Sequence, residues 1–192
     1  MFIDLVKANR SYRGYDESRK VTRDELLSLV ELARISPSSL NAQPLKYYIA
    51  YEKEKVEIIQ ARTKWAAGLP KLNLPYEGKR PTAFIVICQD LNIVPAIEKY
   101  QKDVGIVAQT MLLGATELGL GGCMIGNFSQ DEMKKAIGVS ENLQPVLVIG
   151  IGKPMENIVI TEVSENESMK YYRDENDTHY VPKRKLQDIV VE

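Results

Sequence analysis

The chain has 192 residues, 44% hydrophobic and 27% charged, a balance that suits one globular domain and excludes a disordered or fibrous chain. Lys plus Arg number 25 against 26 Asp plus Glu, a formal charge of −1, so no basic excess calls for nucleic acid or an anionic membrane. Two cysteines, Cys88 and Cys123, and one histidine, His179, are too few for a structural zinc site, a haem or an iron–sulfur cluster.

Both cysteines sit in apolar surroundings and read as reduced thiols. The first residues lack the apolar core of a signal peptide, and the longest apolar run, residues 146–151, is far too short to span a bilayer. A cytoplasmic protein is the expectation.

Residues 2–8 predict a short helix, followed by the basic turn Asn9-Arg10-Ser11-Tyr12-Arg13-Gly14. Thr22 and Glu25 form a capping box, and Leu26, Leu27, Leu29, Val30 and Ala33 recur at helical spacing until Pro37 stops the pattern. The polar loop 38–43 leads into a strand at 46–51 and a helix at about 54–65. Three prolines and two glycines make 66–81 a long irregular loop, of the kind that is usually functional or mobile.

Residues 83–89 are continuously apolar up to Gln89 and predict a strand buried on both faces. A long helix is expected over roughly 93–118, with Gly119 as its stop. Its middle is apolar nearly all round, so it needs cover on several sides, in a core or at a subunit interface. Strands follow at about 122–125 and 146–151, separated by a short helix that Ser129 and Glu132 start and Gly138 ends. Residues 165–192 are charged and tyrosine-rich and read as an arm with few core contacts. Strands and helices alternate loosely, which indicates a mixed α+β or α/β class.

Three segments could carry chemistry. Arg10, Ser11 and Arg13 put two guanidinium forks and a hydroxyl in one turn, a set that matches phosphate oxygens or else is solvated surface charge. The basic cluster Lys183-Arg184-Lys185 invites the same two readings. Loop 38–43 offers two hydroxyls and two carboxamides, groups that suit a ring edge of alternating donors and acceptors, or an ordinary polar turn. The glycines at 119–126 fail the dinucleotide fingerprint: Met124 takes the place of the third glycine, and the segment runs from helix into strand. With one histidine in a charged stretch, no Ser-His-Asp or Cys-His arrangement is credible, so a bound cofactor would have to carry any chemistry.

Taken together, these segments resemble the flavin-dependent nitroreductase family over nearly the whole chain. Asn9-Arg10-Ser11-Tyr12-Arg13-Gly14-Tyr15 is similar to the family's phosphate turn, which implies roles for Arg10, Ser11 and Arg13. Ser36-Pro37-Ser38-Ser39-Leu40-Asn41-Ala42-Gln43-Pro44 resembles its flavin loop and implies that Pro37, Ser38, Ser39, Asn41 and Gln43 contact a flavin bound mainly by the other subunit. Leu45 stands where the family usually has tryptophan. The segment from Leu118 to Phe128 resembles the strand whose backbone approaches the flavin ring, placing Met124, Ile125 and Gly126 there, with Met124 and Gly126 replacing the usual proline and glutamate. Lys183 and Lys185 fall where the family has a C-terminal basic pair at the phosphate.

The resemblance implies an α+β fold of the α/β/α sandwich type, with a mixed, mostly antiparallel sheet of about five strands wrapped by helices. It implies one FMN-binding domain over residues 1–192, an interlocked homodimer with the 93–118 helix at the interface, and an arm, 165–192, crossing to the partner. The implied activity is NAD(P)H-dependent: hydride passes by a ping-pong route through flavin N5 to an electron-poor acceptor such as a nitroaromatic or quinone, with no catalytic side chain of the protein's own. A flavin-binding sensor or store without turnover is the alternative. Trp65 and Tyr76 flank the irregular loop and either roof the pocket or simply pack.

Overall fold

The computed structural model describes residues 1–192. In chain order it contains α1 (Phe2–Ala8), β1 (Tyr15–Asp16), α2 (Arg23–Arg34), β2 (Leu45–Ala50), α3 (Lys53–Gln60), β3 (Ala83–Asp90), α4 (Gln101–Glu117), β4 (Gly121–Ile125), α5 (Gln130–Ile137), β5 (Leu143–Pro154), β6 (Ile158–Val163), β7 (Tyr172–Arg173) and β8 (His179–Arg184). The main sheet has five strands, all paired antiparallel, in the order β2-β3-β5, with β4 and β1 both pairing β5. This is the expected α+β class.

Strand β3 explains the layering. Its residues alternate between two cores because successive side chains of a strand leave opposite faces. Ala83, Ile85 and Ile87 join Leu26, Leu29 and Ala33 of α2 and Val107, Ala108 and Met111 of α4. Phe84, Val86 and Cys88 join Ile59 of α3 and Met133 and Ile137 of α5 on the other side. Two helical layers therefore sandwich the sheet, and the strand has no polar face until Gln89. Opposite Cys88, β5 offers Pro145, which lacks the N–H a ladder needs; the register slips at that point by one residue.

The local signals at the helix ends hold in most cases. Thr22 and Glu25 form the complete capping box on α2, whereas at α5 Ser129 accepts from the Glu132 N–H without the reciprocal bond. Gly119 and Gly138 adopt φ of +71° and +65°, the left-handed region that lets a helix end without a Cβ clash. The α2 face is narrower than its periodicity suggests: Leu26, Leu29 and Ala33 are buried, but Leu27 is exposed.

Three expectations need correction. The long helix does not start at 93, because Pro95 forces the residue before it out of the helical region; a single 3-10 turn at Ile97–Tyr100 precedes α4 instead. Helix α3 ends at Gln60 rather than near 65, since Trp65 turns back to pack over Gly150 and Phe84, its Nε1–H donating to the Thr63 hydroxyl at 3.0 Å. Trp65 is thus a packing residue of the second core.

The third concerns the C-terminal region. Ile158–Val163, rich in β-branched residues, forms β6, and the segment read as a loose arm contributes β7 and β8 to a separate three-stranded sheet, with β6 and β8 parallel. His179, expected in a charged arm with few core contacts, is 2% exposed.

Candidate functional site

The basic turn is held from several directions. The Tyr12 N–H donates to the Gly122 carbonyl at 3.1 Å, and Ser11 makes a bridge to Gly122, so the turn lies along β4. The Met155 N–H donates to the Gly14 carbonyl at 3.0 Å. Glu156 accepts from the Arg13 backbone N–H and pairs with Arg173, both carboxylate and guanidinium side chains being 5% exposed. The paired glycines of β4 permit the close approach: a Cβ on Gly121 would fall 2.6 Å from the Tyr12 ring, and one on Gly122 would fall 2.6 Å from the Gly150 carbonyl oxygen. Their role is packing, in keeping with the failed dinucleotide fingerprint.

Above this turn opens a cavity of about 350 Å³. Arg10, Ser11 and Arg13 come to it from the turn, Gln109 and Leu112 from α4, Met124 from β4, and His179, Val181 and Lys183 from β8. Alternation along β8 puts those last three on one face. Three permanent cations line the cavity and no carboxylate does. The Nε atoms of Arg10 and Arg13 and the Nδ1 of His179 are buried without hydrogen-bond partners. Unpaired buried polar atoms are costly, and a lining of three cations without a carboxylate suits an anion. A phosphate monoester fits that donor set.

The polar loop lies elsewhere, on a second cavity of about 480 Å³ between α2, β2 and α4, which Pro37, Ser38 and Gln43 line. Leu40, Asn41 and Gln43 all hold positive φ, 53°, 53° and 49°, which L residues seldom adopt. A relay holds the loop in this shape. The Gln43 N–H donates to the Ser38 hydroxyl at 3.0 Å, and that hydroxyl donates to Asp103 at 2.6 Å; the Ser39 N–H donates to the same carboxylate oxygen at 3.0 Å. Ser38 is thereby committed inside its own chain, whereas Ser39, Leu40, Asn41 and Gln43 are exposed.

The expected site residues therefore separate into two groups. Arg10, Ser11, Arg13, Met124 and Lys183 share one chamber; Pro37, Ser38, Ser39, Asn41 and Gln43 form another surface of the same chain. Ile125 is buried in the second core and pairs with Val148 of β5, and Gly126 beyond it is exposed and open around its Cα. Lys185 lies past the end of β8 and does not line the chamber. Cys123 is buried with its thiol pushed up to about 11 by burial, which makes it a packing group rather than a nucleophile.

Sequence reasoning missed Asp103, Glu156, Tyr171, Arg173 and His179. Their partners are distant in sequence, and only the alternation His179-x-Val181-x-Lys183 carried a local signal, that of a strand with one face turned inward.

An α+β sandwich with a cation-lined chamber beside the basic turn defines the class. The Nitroreductase family model matches residues 6–153, and the chain belongs to this family. A curated relative from Archaeoglobus fulgidus, provisionally named as an NADH dehydrogenase/NAD(P)H nitroreductase, is 24% identical, the match covering 80% of this chain and 86% of that protein. Among solved structures, a nitroreductase family protein from Clostridium difficile 630 is 28% identical with a TM-score of 0.63, covering 81% of this chain and 86% of that one. A provisionally named nitroreductase from Exiguobacterium sibiricum, solved in complex with FMN, shares the fold at 22% identity and a TM-score of 0.67, covering 81% and 89%. No helix of this chain is long and apolar enough to cross a membrane.

Proposed function

We propose that this protein is an FMN-dependent NAD(P)H oxidoreductase that works as a homodimer. The observation that carries the proposal is the meeting of Arg10 and Arg13, from the start of the chain, with Lys183, from its end, in one chamber free of carboxylates. Family membership and the FMN held by a structural relative support the same cofactor.

In this reading Arg10, Ser11, Arg13 and Lys183 bind the phosphate, and the β4 edge at Met124, Ile125 and Gly126 lies along the ring. Bound FMN would supply the redox chemistry, taking hydride at N5 from NAD(P)H and passing electrons to an electron-poor acceptor after the nicotinamide has left. The chain itself contributes charge neutralisation, a fixed turn, backbone donors near Gly126 and exclusion of water; no side chain is needed as acid or base.

The division of the site supports the dimer. Within one chain, the Ser39-Leu40-Asn41-Ala42-Gln43 surface does not line the phosphate chamber, yet its carboxamides are exposed and its backbone is held in a demanding shape. Leu40 is 96% exposed, Ile106 on α4 is exposed, and Leu186, Ile189, Val190 and Val191 leave the C-terminus apolar and exposed. A second copy would cover these groups and supply its loop to the first copy's flavin, with residues beyond β8 reaching across.

The test is direct. Purified protein should be yellow, elute as a dimer, and lose its flavin absorbance when NAD(P)H is added without oxygen. A yellow dimer that NAD(P)H does not bleach would be the sensor or store instead, and a protein with no affinity for FMN would overturn the proposal.

A further inference from the structure

Resting on the FMN reading, we propose that His179 is a further binding residue of the phosphate chamber, one that takes up a proton as the phosphate dianion enters and then donates to it. His179 begins β8 on the face that carries Lys183, and it is among the residues lining the chamber with Arg10, Ser11 and Arg13. Its Nδ1 is buried and has no partner, a state that buried polar atoms rarely keep unless a ligand completes them.

The ring is fixed in place. It lies against Tyr171 with centroids 5.3 Å apart, and the Arg13 guanidinium sits over the other part of that assembly, 5.3 Å from the Tyr171 centroid. The His179 backbone N–H donates to the Asn157 carbonyl at 2.9 Å, tying the strand to the segment that carries Glu156.

The charges around it explain why the proton arrives with the ligand. Arg13 faces the ring from the basic turn, Arg173 and Asp177 from the β7 hairpin, and Lys183 from the same strand face. Glu156 is already spent on Arg173 and the Arg13 backbone, so it offers the imidazole no counter-charge. Burial first, then the two guanidiniums, hold His179 down to about 4 from its ordinary 6.5, and Asp177 offsets this only in part. Without an anion the ring is neutral and adds no fourth charge to a crowded basic site. A phosphate dianion offsets much of the local positive field and favours the imidazolium. The proton comes from solvent and no bond to carbon or phosphorus changes.

Because His179 is the only histidine, untagged protein gives a single set of imidazole signals in NMR. The comparison is between protein loaded with FMN and protein loaded with riboflavin, which has the ring but no phosphate. The expected imidazole midpoint is about 4 with riboflavin. With FMN it should rise to roughly 5–7, since an opposite charge within hydrogen-bonding reach favours the charged form by about 1–3 pH units. His179→Phe keeps an aromatic ring against Tyr171 and should weaken FMN roughly tenfold or more while leaving riboflavin affinity unchanged. The same midpoint in both loaded forms, or equal loss of FMN and riboflavin in the variant, overturns the role of His179. Equal affinity of the parent protein for FMN and riboflavin would instead overturn the phosphate-site reading beneath it.

Discussion

The Ser38 hydroxyl donates to the Asp103 carboxylate at 2.6 Å, joining the first turn of α4 to a loop whose next residues hold left-handed backbone angles. Asp103 is 1% exposed and also accepts from the Ser39 N–H. A helix of the core thus sets the shape of the surface that the proposed dimer presents to its partner's flavin.

Removing that carboxylate should release the loop. Asp103→Ala leaves two part-buried donors without an acceptor and should lower unfolding free energy by about 1–3 kcal/mol. Asp103→Asn, which keeps one acceptor oxygen, should lose less. Urea denaturation checks both; an alanine variant as stable as the parent would show that the relay holds nothing.

Glu156 and Arg173 form the best-buried ion pair of the chain, each side chain 5% exposed. Removing the carboxylate leaves the buried guanidinium with Asp177 alone, whose side chain is 47% exposed, so Glu156→Ala should cost about 1–3 kcal/mol. Because Glu156 also holds the Arg13 N–H, the variant should lose flavin before it loses fold. Flavin release and circular dichroism, followed through one thermal scan, would separate the two events.

Arg13 is expected to contribute about 1–3 kcal/mol to FMN binding as a charge-assisted donor. Arg13→Ala should emerge from gel filtration depleted of flavin, whereas Lys185→Ala, outside the chamber, should keep it. Unchanged retention by the Arg13 variant would count against the assignment of the turn.

Acid should expose the buried histidine. In flavin-free protein His179 is held down to about 4 in the folded state against an ordinary 6.5, so between these values the unfolded chain binds the extra proton. Stability therefore rises with pH across that window, levels off above about 6.5, and carries the full penalty below about 4. His179→Phe should flatten this part of the stability profile, which denaturation midpoints at several pH values would show; bound FMN should flatten it too.

Local chemistry made several features legible from the sequence. The Thr22–Glu25 box, the stops at Gly119 and Gly138, the double-faced β3 and the basic turn at Arg10, Ser11 and Arg13 all depend on residues within a few positions of one another, where backbone geometry and periodicity act directly. The family followed from motifs of that kind, as did the α+β class.

What lay beyond the sequence rests on contacts between distant segments. That Lys183 rather than Lys185 reaches the chamber depends on β8 pairing with β6, and that register comes from a strand the arm-like composition concealed. His179 reads as a solvated residue until Tyr171, Arg13 and Arg173 close around it, because burial is a property of the assembled surface and not of the neighbouring residues. Ser38 reads as free for a ligand until Asp103, 65 positions away, accepts its hydrogen bond. The sequence determined which side chains could bind a phosphate; packing decided which of them face the same space, since the free energy of holding them there comes from the two cores on either side of β3.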